Sequence, residues 1–229
     1  TYSSASITVQ PVAHHVVCSS PYECMIRLVF SLLLAAVLWT VMFSPWTAPY
    51  VSFWWMMAGS ALILSALATF FRPRWWMDTR WNLANVYWGI GVAVGLWGVF
   101  WLGDRVSSWL FDFARPQVDL IYGMKSGESP WLLSVLLLLL IGPAEEVFWR
   151  GYVQRTLSIR WNPNIGFLAS TLLYAVVHAP SCNFMLLMAA LVAGVVWGGL
   201  YRFFPNRLSA LIVSHALWDA AVFVWFPIV

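Results

Sequence analysis

The sequence predicts an all-α, polytopic transmembrane helical bundle of about seven spans, with the chemically active core in the last four. Three observations predict it. Hydrophobic residues make up 62% of the chain and charged residues 9%, where a soluble domain carries about 25% charged residues. Seven stretches meet or approach the ~20 mostly apolar residues that a helix needs to cross a bilayer. None shows the period-two alternation of barrel strands. Helices are then the structure left, because they satisfy their own backbone polar groups in lipid.

Residues 1–24 are rich in Ser, Pro and His and contain no apolar run. They read as a flexible tail, and they lack the basic-then-apolar pattern of a signal peptide. The start at Thr1 fits a processed or truncated product. Cysteines 18, 24 and 182 are too few and too scattered for a disulfide framework or a zinc cluster. Cys18 and Cys24 are near enough to pair in an oxidising compartment. His14 and His15, close to Cys18, read as polar tail before metal ligands.

The N-terminal part, 25–130, contains spans at 26–43, 50–71 and 84–102 and a polar loop at 103–130. Trp109, Phe111 and Phe113 are apolar anchors for a short interfacial helix in that loop. Spans at 131–150, 165–180, 184–203 and 208–228 make up the core region, 131–229. Gly91 with Gly95, and Ala190 with Gly194 and Gly198, form small-residue stripes that let helices approach closely. The Trp54–Trp55 and Trp75–Trp76 pairs fit interfacial belts near span ends.

The basic residues predict orientation. With seven spans, one face receives Arg27, Arg72, Arg74, Arg80, Arg150, Arg155, Arg160, Arg202 and Arg207, and the other only Arg105, Arg115 and Lys125. Cytoplasmic loops carry the excess of Lys and Arg. The N-terminus is therefore expected in the cytoplasm and the C-terminus outside, with the chain in a membrane of bacterial cytoplasmic type. A net charge of +3, set on span flanks, suggests no nucleic-acid partner.

Ionisable residues inside spans are costly and are functional candidates by default. Within the seven stretches they are Glu145, Glu146, His178, His215 and Asp219, with Arg150 at a span end. All fall in the last four spans. Residues four apart share a helix face, so Arg150 pairs with Glu146, His215 sits with Asp219, and Tyr174 lies one turn before His178. Glu145 is rotated about 100° from Glu146 and has Trp149 at its i+4 position. It is the carboxylate without a local counter-charge, as suits a general base. Asn162 and Pro163 mark a turn; Glu146 lies 16 residues before position 162 and His178 lies 16 after it. The two are thus expected at similar depth, in one polar pocket that His215 and Asp219 reach from the seventh span. Pro143 removes a backbone hydrogen bond just before the glutamate pair and is expected to bend the helix. Taken singly, each pair also reads as a structural contact, and the joint occurrence carries the argument.

These residues resemble a known family. Glu145-Glu146-Val147-Phe148-Trp149-Arg150 is similar to the EExxxR motif of the CPBP, or ABI, type II CAAX protease-like intramembrane proteases. Tyr174 through His178 resembles its FxxxH motif, with Tyr where Phe is usual, and His215 through Asp219 its HxxxN/D motif. The likeness covers about 131–225. It implies an intramembrane endopeptidase acting on a membrane-associated peptide or protein: a prenylated C-terminus, a leader peptide or a C-terminal anchor. It further implies that Glu145 and His178 activate a water and that His215 and Asp219 form the oxyanion site, with Glu146, Arg150 and Tyr174 in support. An ionised Asp219 would repel an oxyanion, so Asp219 is expected either to be protonated or to orient a protonated His215, which is then the donor.

Zinc is the rival mechanism, with Glu146, His178 and His215 as ligands. No HExxH helix is present and the ligands are spread over three spans, so a metal-free, glutamic-type reaction is favoured. A non-catalytic immunity or scaffold protein and a proton-coupled transporter are the competing functions. The intact motifs oppose the first. The absence of an inverted repeat or paired broken spans opposes the second.

Overall fold

A computed structural model of the chain describes residues 20–228. His14, His15, Cys18 and most of the expected tail lie outside them. The described residues contain no β-strand. The helices are α1 (Pro21–Phe43), α2 (Phe53–Phe71), α3 (Leu83–Leu110) and α4 (Ala114–Gly123). They continue with α5 (Pro130–Arg160), α6 (Pro163–Val176), α7 (Phe184–Phe203) and α8 (Leu208–Trp225). Most starts are encoded locally by a capping side chain. Ser20, Asn82, Asn162 and Asn183 each accept a first-turn backbone N–H, and Pro21, Pro130 and Pro163 stand at the first helical position.

Among the described residues, six helices are long and apolar enough to cross a membrane: α1, α2, α3, α5, α7 and α8. The chain is an integral membrane helical bundle. The expected span at 165–180 is different. It forms α6, 14 residues long, which rises only ~21 Å against the ~30 Å of a hydrocarbon core. Pro180 supplies no N–H to extend the helix, and Cys182, at φ 52°, turns the chain in a left-handed conformation. The crossing is finished by the connection to α7. Asn183 donates through its side chain to the Gln117 carbonyl in α4 at 2.8 Å, which ties the start of α7 to the far loop.

The third helix does not stop near 102. It runs to Leu110 and carries Asp104 and Arg105, so the first three membrane helices do contain ionisable groups. The buried Asp104 carboxylate is met by Arg115 of α4, Nη1 to Oδ1 3.5 Å, and Arg115 also holds Asp119 at 2.7 Å. That charge pairing lets the helix continue through a polar stretch. The expected short helix of the 103–130 loop is α4 itself.

The small-residue stripes divide. Gly194 and Gly198 of α7 face α6, where an added Cβ would sit 3.3 Å from Thr171 and Tyr174 and 3.0 Å from Thr171 respectively. Gly91 and Gly95 have no neighbour within 4 Å of such a Cβ. They therefore mark no helix contact, contrary to the expected packing stripe.

α5 carries the glutamate pair and is irregular around it. π-helical turns at Leu137–Ile141 and Val147–Gln154 flank Gly142–Glu146. Pro143 has no N–H to give, and a wide turn just ahead of it accommodates the missing bond. Gly142 lets α8 come against this segment: a Cβ there would lie 2.7 Å from the Ala216 Cα and 2.8 Å from its N. Gly142→Ala is expected to destabilise the protein by about 1–3 kcal/mol through overpacking against backbone that cannot yield. Thermal unfolding in detergent measures it, and an unchanged midpoint would show that the two helices can separate freely.

Candidate active site

Three helices bring the predicted residues together. α5 supplies Glu145, Glu146 and Arg150, α6 and its exit supply Tyr174 and His178, and α8 supplies His215 and Asp219. All are buried, Glu146 completely and none above 6% exposure. The i, i+4 pairs form as their spacing requires. Arg150 Nη1 donates to Glu146 Oε1 at 2.8 Å, and His215 Nε2 lies 3.5 Å from Asp219 Oδ2.

Other contacts join the pairs into one network. His215 Nδ1 lies 2.7 Å from the same Glu146 Oε1 that Arg150 binds. A carboxylate only accepts, so Nδ1 carries a proton and Nε2 points toward Asp219 and Glu145, whose Oε2 is 4.0 Å away. Glu145 does lack a counter-charge on its own helix, but it is not without a partner. Tyr174 donates its hydroxyl to Glu145 Oε2 at 3.0 Å. The Tyr that replaces the usual Phe thus holds the carboxylate with a neutral donor.

His178 is fixed from both sides. Its Nδ1 lies 2.8 Å from the Tyr174 carbonyl, so Nδ1 carries the hydrogen, and Nε2 accepts the indole N–H of Trp39 at 3.3 Å. Trp39 comes from α1 and is wholly buried. Trp197 of α7 stacks on His215, with centroids 3.8 Å apart and 21° between planes. Its own N–H is taken by Ser214 Oγ at 3.0 Å. The Arg150 guanidinium lies over the Tyr174 ring at 4.8 Å and over the Trp197 ring at 5.4 Å. Sequence spacing could not find Trp39 or Trp197, which are two indoles among seventeen.

A cavity of about 510 Å³ opens from this cluster, within the range of ligand pockets. Glu145, Tyr174, His178, His215 and Asp219 line its closed end, and its walls are Phe, Met, Val and Ile side chains. Asp104 and Tyr122 are polar groups further along it. Tyr122 accepts the Ile228 N–H at 2.9 Å. Burial, with help from Asp104, raises the Tyr122 phenol above its usual value, so it remains a neutral donor. An apolar tunnel that ends in two carboxylates, two imidazoles and a phenol can hold an extended apolar chain and move protons at its end.

No curated protein and no solved structure matches the chain. One family does, over residues 127–221, a stretch that opens just before α5 and closes two residues after Asp219. The three motifs and the network they form lie inside it, apart from the Trp39 contact. Residues 127–221 of this chain match the family described as type II CAAX prenyl endopeptidase Rce1-like.

Proposed function

We propose that the chain is an intramembrane endopeptidase in which Glu145 activates a water against the carbonyl of a membrane-associated polypeptide. One observation carries the reading: Glu145, Tyr174, His178, His215 and Asp219 converge at the closed end of a single apolar cavity. In the reaction, Glu145 takes a proton from the water as its oxygen attacks the carbonyl carbon. The oxyanion that forms is met by the Nε2–H of a protonated His215. Glu145 then delivers the proton to the leaving nitrogen as the C–N bond breaks, which yields a carboxylate and an amine.

Glu146 holds Nδ1 of His215 so that Nε2 faces the cavity. Asp219, 3.5 Å from that nitrogen, stabilises the imidazolium. His178 joins by accepting a water hydrogen at Nε2 in exchange for the long Trp39 bond. The family resemblance and the apolar cavity together support a prenylated, leader or anchor-linked peptide as substrate. The arginine distribution supports a cytoplasmic N-terminus and an outward C-terminus, in a membrane of bacterial cytoplasmic type.

The donor set supports the metal-free reaction over zinc. Nδ1 of His178 is held by the Tyr174 carbonyl and Nδ1 of His215 by Glu146, which leaves one nitrogen of each ring for any other partner. Among the described residues, no three of His, Cys, Asp or Glu are grouped to hold a metal ion.

The test is cleavage of membrane-anchored peptides by the detergent-purified protein in the presence of a chelator. Cleavage is expected to persist with chelator and to fall in His178→Ala by about 10²–10⁴-fold, the usual contribution of a positioned acid–base group. Activity lost to chelator and restored by zinc would establish the metal mechanism instead. Cleavage untouched in His178→Ala would remove that residue from the site.

A further inference from the structure

The cavity is one-sided, and that fixes the direction from which a substrate comes. Each helix that borders it contributes only the end away from the nine arginines. α3 lines it from Val99 onward, α7 only as far as Ala193, and α8 only from His215 onward. α5 contributes nothing beyond Glu145, and α2 nothing beyond Met57. None of the nine arginines of the basic face lines it. On their side the catalytic layer is closed by Trp39, Trp149, Trp197 and Arg150, each at most 2% exposed.

At the other end the cavity reaches the outer surface of the bundle. Val99 and Phe111 of the α3 end and Phe184 of α7 line it, yet are 50%, 45% and 47% exposed. The opening thus lies between α3 and α7, beside α4, whose Val118 and Ile121 also line it. It is apolar and lateral, as a segment arriving from lipid requires.

We propose that the polypeptide to be cut reaches Glu145 from the arginine-poor face, through the opening between α3 and α7. The substrate is a membrane-anchored chain whose apolar cleavable segment is presented at the arginine-poor face. This rests on the endopeptidase reading and adds the side and the route. A segment from the arginine-rich side would have to pass the tryptophan layer beneath Glu145.

The test uses the full-length protein in sealed liposomes. Native Cys182, which is exposed beside the start of α7, reports the arginine-poor face. Asn206→Cys, on the exposed loop between α7 and α8, reports the other. In a Cys182→Ser background, Met188→Cys and Ala189→Cys on the cavity wall are treated with a small membrane-impermeant thiol reagent. Both are expected to react when the reagent is on the Cys182 side and not when it is on the Asn206 side. Reaction from the Asn206 side, or from neither, overturns the proposal. In parallel, two synthetic single-span peptides present the same apolar stretch on one side or the other. Only the peptide presented on the Cys182 side is expected to be cut, and Glu145→Gln is expected to remove that cleavage. Cleavage of the opposite peptide overturns the route. If neither peptide is cut, the endopeptidase reading fails, and the labelling still decides which way the cavity opens.

Discussion

Glu145→Gln is expected to lower peptide cleavage by about 10²–10⁴-fold, the range for removing a general base, with the fold left intact. The amide has nearly the shape of the carboxylate, and its oxygen still accepts the Tyr174 hydroxyl that now sits 3.0 Å from Oε2. What it loses is the ability to take a proton from water and hand it to the leaving amine. The kcat for an anchored peptide and the unfolding midpoint in detergent should therefore separate, the first collapsing and the second holding. A variant that keeps its kcat would move the base to another group, of which Asp219 is the nearest carboxylate that also lines the cavity.

Arg150→Ala acts on the other member of the pair, and on stability first. Glu146 is fully buried, and one of its oxygens, Oε2, is already without a hydrogen-bond partner. Removing the guanidinium strands a charge that His215 alone must then balance. Breaking a buried pair in this way typically costs about 3–5 kcal/mol, enough to unfold a marginal domain. Arg150→Lys should recover only part of the loss. A compact ammonium cannot fill the planar space that the guanidinium occupies over Tyr174 and Trp197. Thermal unfolding of the two variants in detergent checks the order: a lysine variant as stable as the native protein would assign the whole effect to charge, and equal midpoints for the two variants would assign it to the guanidinium's shape.

The features legible in the sequence were those with local causes. Apolar runs predicted the membrane helices because each must satisfy its own backbone. Spacing of four predicted Glu146–Arg150, His215–Asp219 and the Tyr174–His178 turn because a helix stacks such residues. The illegible features were decided between helices. Tyr174 to Glu145 spans 29 residues, Glu146 to His215 spans 69 and Trp39 to His178 spans 139, and no periodicity reports such meetings. The short α6 was partly legible in Pro180, which an apolar count overlooks. Asp104 reads as loop in the sequence because a polar run resembles the end of a helix, whereas Arg115 of the following helix offsets its charge.

The indole of Trp39 has a consequence for how this protein is divided. By likeness to other proteins, the recognisable unit begins at residue 127. The residue whose indole donates to Nε2 of His178 is eighty-eight positions earlier, in a helix with no recognisable motif. The heritable signature and the working machine therefore have different borders. A core excised along the line of resemblance would keep every motif and the Tyr174 carbonyl that holds Nδ1 of His178, and would lose the indole that donates to its Nε2.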